Sequence, residues 1–211
     1  VAWLQDQQCD APASSAGGWQ AYRAPSGGGL VACGESDGDP NFTGADANST
    51  AFALQALTAV GATAAEADAL TWLHQLQVAS GSAAGGFGQY VGDPADPNST
   101  AVAIQAIVAA GDDPTGSGWT VGGGTPLSSL QSWIIASGAD AGALSSPFSA
   151  GFADLFATFQ GVWGLALQPF PLPAVQVPVP SVTTSPTTTP SGNSATAVAA
   201  QAVSASPSFT G

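Results

Sequence analysis

The chain has 211 residues, 45% of them hydrophobic, and 14 Asp plus Glu stand against a single Arg, Arg23, giving a formal charge of −13. That balance excludes nucleic acid and anionic membrane surfaces as partners, because both are held through clustered Lys and Arg. No apolar run is long enough to span a bilayer and no charged start precedes a hydrophobic stretch, so neither a membrane span nor a signal peptide is expected, and the lack of Met points to a mature or excised segment.

In chain order, the first feature is the cysteine pair. Cys9 and Cys33 both stand in loop-like sequence rich in Gly, Ser and Asp. That context suits a disulfide closing a surface loop in an oxidising compartment, with two free thiols as the alternative. Together with the one histidine, His74, they fall short of the four ligands a structural zinc wants. Cys33-Gly34-Glu35 has the start of a thioester-forming motif, but Ser36 stands where the acylating Gln must be.

Next comes Asp37-Gly38-Asp39-Pro40-Asn41, which places oxygen ligands at alternate positions like the opening of a calcium loop. Phe42 and Asn48 replace the Gly and Glu that an EF-hand requires, so only a looser calcium site on Asp37, Asp39 and Asp46, or on Asp93 and Asp96, is a candidate. The same aspartates read equally as turn formers and helix caps.

The chain then repeats itself. Asp46-Ala47-Asn48-Ser49-Thr50-Ala51-Phe52-Ala53-Leu54-Gln55 recurs as Asp96-Pro97-Asn98-Ser99-Thr100-Ala101-Val102-Ala103-Ile104-Gln105, and a degenerate copy runs from Asp154 through Thr158 to Trp163. Upstream, Trp3-Leu4 with Gln8 and Gly17-Gly18-Trp19 matches Trp72-Leu73 with Gln77 and Gly85-Gly86-Phe87, and Trp133-Ile134 followed by Gly142 reads as an eroded third version.

Each unit reads as two helices. Ala64 to Val78 alternates apolar and polar residues at helical spacing, the mark of an amphipathic helix over a core. Asn48 to Val60 and Asn98 to Ala110 are apolar nearly all round, the pattern of a helix buried on every side. Helix starts are expected near residues 48, 64, 98, 126 and 153. The capping residues are Asp46, Asn48, Asp96, Asn98 and Asp154, with Gly61 and Gly111 suited to the left-handed position after a helix. Asn41, Asn48 and Asn98 are also glycosylation sequons, and capping is favoured at the latter two. Gln55, Gln105 and Trp163 occupy matching places on the inner helices. They either line a ligand cavity or bond neighbouring helix ends.

From Pro169 to Gly211 the chain turns to Pro, Ser and Thr with no charge. Such sequence does not bury enough surface to offset its ordering entropy, which predicts an extended, disordered stalk over 169–211 after a folded domain over 1–168. Thr183, Thr184 and Thr187 to Thr189 are candidate O-glycosylation positions, and the ending Ser206-Pro207-Ser208-Phe209-Thr210-Gly211 is similar to a sortase signal without its Leu and first Pro.

The aromatic-Leu pair, then Gln, then Gly-x-Trp or Gly-x-Phe resembles the repeat of squalene cyclases and protein prenyltransferases. The resemblance covers residues 1 to about 168 and implies an all-α fold, a partial ring or arc of an α/α toroid. The enzymes' own motifs do not follow. Asp93-Pro94-Ala95-Asp96 does not match DxDD, Asp112-Asp113 is followed by Pro-Thr-Gly rather than completing DDxxD, and the zinc set is missing. The leading expectation is therefore a secreted or cell-surface, non-catalytic module that binds an unknown protein, glycan or small apolar ligand, with no cofactor beyond calcium. Cell-wall attachment would follow from the tail. Two alternatives stay open: an enzyme fragment of the cyclase or prenyltransferase type lacking its catalytic half, and a carrier of a corrinoid or other small molecule.

Overall fold

In the computed structural model the described residues are 1–21, 23, 25–26, 29–30, 32–34, 44–149 and 151–172. The compact unit runs from Val1 to Pro173. It therefore extends past the boundary expected at residue 168, because Gln168 and Phe170 bond to the inner helices. The stalk beyond, with its candidate glycosylation and sorting positions, lies outside the described residues.

Six helices are described: α1 (Ala2–Gln5), α2 (Ala47–Ala59), α3 (Glu66–His74), α4 (Pro97–Ala109), α5 (Pro126–Gln131) and α6 (Leu155–Leu165). The expected all-α class holds for them. The one described exception is a hairpin of β1 (Pro25–Ser26) and β2 (Gly29–Leu30), paired antiparallel with Pro25 opposite Leu30. Among the described residues no helix is long and apolar enough to cross a membrane.

Helices α2 and α4 are Ala-rich stretches whose apolar residues point all ways, and α4 packs between α2 and α6, with α3 against α2 and α5 against both α4 and α6. Small Ala side chains favour the helix and let the three backbones come close. The larger core gathers Trp19, Leu54, Leu57, Trp72, Leu73, Phe87, Ile107 and Trp119, and a second one gathers Ala101, Ile104, Leu130, Leu144 and Ala157.

Both long inner helices end in the same way. Gly61 (φ +74°) and Gly111 (φ +85°) take the left-handed position, and the amides of Gly61 and Ala62 donate to Thr58 and Leu57, as those of Gly111 and Asp112 do to Val108 and Ile107. These pairs satisfy carbonyls that the last helical turn leaves open. The amphipathic segment expected over 64–78 is a 3₁₀ turn, Thr63–Ala65, followed by α3, which stops at His74. It stops early because Val78 pairs with the glycine turn instead: its amide donates to Gly86 and its carbonyl accepts from Gly85.

One set of contacts occurs three times. The amides of Trp19, Phe87 and Leu144 donate to the hydroxyls of Thr50, Thr100 and Thr158 at 2.9, 3.0 and 3.0 Å. Their carbonyls accept from the amides of Asp46, Asp96 and Asp154, and the same residues form isolated bridges with Gln8, Gln77 and Ile134. The bridge partners correct the sequence alignment. Ile134 stands where Gln77 does, so the third counterpart of Trp72-Leu73 is Ser129-Leu130 rather than Trp133-Ile134. Leu130 is fully buried, like Leu73.

The Gln repeated in the first two units has a cross-linking task. Gln8 Nε2 donates to Gly17 O at 2.9 Å and Ala65 O at 3.1 Å, and Gln77 Nε2 donates to Gly85 O and Trp119 O, both at 3.0 Å. One amide thus ties a glycine turn to the next helical unit. Gly17 (φ +96°) needs its lack of a side chain, since a Cβ there would lie 2.5 Å from Asp68 O.

Candidate functional site

Asp46, Asp96 and Asp154 start the three inner helices, each accepting a hydrogen bond from the amide three residues on, at 2.8, 2.8 and 3.0 Å. Nine residues after each cap stand Gln55, Gln105 and Trp163. The structure brings these three residues to one feature, the segment Gln168–Phe170. Gln55 Oε1 accepts from Phe170 N at 2.7 Å while its Nε2 donates to Ala51 O at 3.3 Å. Gln105 Nε2 donates to Gln168 O at 2.7 Å, and the Trp163 and Phe170 rings lie 6.2 Å apart, inclined by 57°. Both glutamines are buried, so each amide needs a partner, and the chain's own backbone supplies it.

Helix α6 delivers that segment by ending early. Leu167, at φ +53°, takes the left-handed position that Gly61 and Gly111 take elsewhere, and the amides of Leu167 and Gln168 donate to Gly164 and Trp163. Pro169 then prevents continuation, and the chain crosses α4 and α2 at the two glutamines.

The remaining candidates have structural duties. Cys9 and Cys33 form a disulfide, so neither sulfur is a metal ligand or an acylation site. His74 stacks on Trp119 with ring centroids 3.8 Å apart, and its Nδ1 is 2.9 Å from Gln77 Oε1. Asp93 accepts from Tyr90 N, and Asp112 from Trp119 Nε1 at 3.4 Å. Asp37, Asp39 and Asn41 lie outside the described residues, so of the first calcium candidate only Asp46 is placed, its Oδ1 accepting from Ser49 N; of the second, Asp93 accepts from Tyr90 N and Asp96 Oδ1 from Ser99 N.

Asn48 and Asn98 are corrected as caps. They sit in the first helical turn, two residues past the capping Asp, where the backbone is already helical. Asn98 Nδ2 donates to Gln160 Oε1 at 2.6 Å, and Asn48 Oδ1 is buried without a partner.

Burial pushes the Asp46 and Asp96 carboxyls above the usual range, with the amide and hydroxyl of Ser49 and Ser99 opposing the shift. The buried Oδ2 of Asp46 has no hydrogen-bond partner, in keeping with that direction. The native state therefore holds these two protons to higher pH than the unfolded chain. Between the ordinary carboxylate range and the raised values, stability falls as pH rises and is regained on acidification. Asp154 runs the other way: Ser146 Oγ at 2.6 Å and the Ala157 amide hold it low, so its contribution is lost as pH falls. Asp96→Asn keeps the capping oxygen and removes the buried charge, so thermal melts should show a flatter pH dependence and no loss at pH 7, whereas Asp96→Ala should cost about 1 kcal/mol.

Sequence reasoning missed the partner segment itself. Gln168 and Phe170 stand at the edge of a Pro-rich stretch, and composition placed the boundary between them, with Phe170 in the stalk. Pro169, just past the end of α6 at Leu165, was the local signal of a break, but only the fold shows where the chain goes next. No family model, curated protein or solved structure matches this chain.

Proposed function

We propose that the chain is a non-catalytic module of the α/α toroid type, working outside the cytoplasm as a secreted or surface protein, which binds a partner along its inner-helix wall. The observation that carries this reading is the convergence of Gln55, Gln105 and Trp163, one from each inner helix, on the segment Gln168–Phe170. Two buried amides that bond backbone N–H and C=O groups, beside an aromatic ring, are the chemistry that holds an extended peptide with an aromatic side chain. Among the described candidates, Asp46, Asp96 and Asp154 serve as caps, Cys9 and Cys33 as a disulfide, and His74 in a stacked ring pair. The disulfide supports an oxidising compartment.

Two measurements test it. Fractionation of the native producer should place the protein outside the cytoplasm with Cys9 and Cys33 cross-linked in a non-reducing peptide map, and the full reading frame should leave squalene and allylic diphosphates unchanged. Turnover of either substrate, or free thiols in a cytosolic chain, overturns the reading. In hydrogen exchange, Gln55→Ala with Gln105→Ala should release the Phe170 amide at least tenfold while the centres of α2 and α4 stay protected.

A further inference from the structure

The three inner helices meet through one recurring pair of faces. Counted from the capping Asp, Asn98, Ala101 and Ile104 of α4 look toward α6: Asn98 bonds Gln160, Ala101 is against Gly164, and Ile104 and Ala101 share a core with Ala157. Gln160 and Gly164 are thus the face that α6 turns back toward α4. Their counterparts on α4 are Val102 and Ala106, buried in the core shared with Ala51 and Leu54 of α2. The forward face of one helix meets the backward face of the next, twice.

Among the described residues, both terminal faces of this row are exposed and apolar. The forward face of α6 carries Phe156, Phe159 and Val162 at the positions of Asn98, Ala101 and Ile104, and the two Phe residues are 76% and 66% exposed. The backward face of α2 carries Phe52, 43% exposed, and Ala56, at the positions of Val102 and Ala106. Beside Phe52 lies a groove of about 480 Å³ lined by Trp3, Leu4, Trp19 and Ala53.

The outer layer shows the same pair of open ends. Trp72 is fully buried because it covers the turn of the preceding unit at Gly18, and Ser129 covers the next turn at Gly86. Trp3, the matching residue of the first unit, is 71% exposed. At the other end, Gly17 and Gly85 abut Asp68 and Gly124, whereas a Cβ at Gly142 would meet nothing.

We infer that the occupant of each open face is a second copy of this chain, joined head to tail. The forward face of α6 in one copy seats on the backward face of α2 in the next, and Trp3 of the second copy covers the turn at Gly142 of the first. Self-complementarity is the argument: the two ends present the helix positions through which the chain already packs its own helices twice, with larger apolar side chains, and exposed aromatics at both ends supply the anchors. The contact is heterologous, so it closes into a ring or propagates. On α2 this surface adjoins the inner wall, since Phe52 and Ala56 line one cavity with Gln55, Phe170 and Pro171, but its test does not depend on the wall having a ligand. Each copy carries the same negative charge, so association strengthens as salt screens the repulsion.

Sedimentation velocity on the 211-residue chain, from low to high micromolar, should show reversible association with a several-fold lower Kd at high salt. Phe159→Asp removes one end and Phe52→Asp the other, both at exposed positions, so each variant should melt like the parent and weaken association at least tenfold. Mixed together, the two variants should form a dimer and nothing larger, since each retains one intact end. A chain that stays monomeric at every concentration overturns the inference. So does association that Phe52→Asp leaves intact, or a mixture that remains monomeric, because those results fit a symmetric contact or none.

Discussion

Trp72→Ala should destabilise the domain by about 3–5 kcal/mol, the range for removing a buried aromatic and leaving part of its volume empty. Trp72 is fully buried at the centre of the larger core. Its ring is the floor for Gly18, and its Nε1 donates to Ser14 O at 2.9 Å, so truncation opens a cavity and removes that bond. Against a total stability of roughly 5–15 kcal/mol for a domain, that loss removes a third or more of the margin. Chemical denaturation should show a midpoint shift without a change in slope. Trp3→Ala is the internal control: the matching residue of the first unit is mostly exposed, and its loss in the isolated chain should shift stability by less than about 1 kcal/mol. Equal effects at the two positions would mean that burial is not what distinguishes them.

That contrast marks what was legible in the sequence. The inner helices were readable because their signals are local: an Asp before an Ala-rich run, a Gly after it, and apolar residues on all sides. Choosing Asp rather than Asn as the cap was less secure, since both residue types accept the same bond. The extended backbone at Asp46 (φ −128°, ψ 156°) decides it. The third unit was misaligned by a Trp that looked like Trp72, because only the bridge between Ile134 and Leu144 sets the register there. The candidate wall residues were found from their matching positions. Their partners were not, because Phe170 is far from Gln55 along the chain and contact over that separation leaves no local trace.

Reducing the disulfide between Cys9 and Cys33 should cost about 3 kcal/mol. The bond closes a loop of sequence separation 24, and the chain-entropy relation gives that magnitude for the freedom restored to the unfolded state. The folded side loses little at first, because Gln20 Oε1, inside the loop, accepts from Gly34 N beside Cys33 at 2.8 Å and is itself tied to Gly44 N at 3.0 Å. Cys9 is fixed independently, its amide donating to Gly18 O and its carbonyl accepting from Gly17 N. The reduced protein should therefore stay folded at room temperature and melt about 6–12 °C lower, using the usual scaling for a domain of this size. The loss should be additive with Asp96→Ala, which acts on a different helix, and non-additive with Gln20→Ala, which frees the same loop. An unchanged melting temperature after reduction would mean that the loop is equally confined without the bond, and the role of the cysteines would then lie in the compartment they survive in rather than in the stability they add.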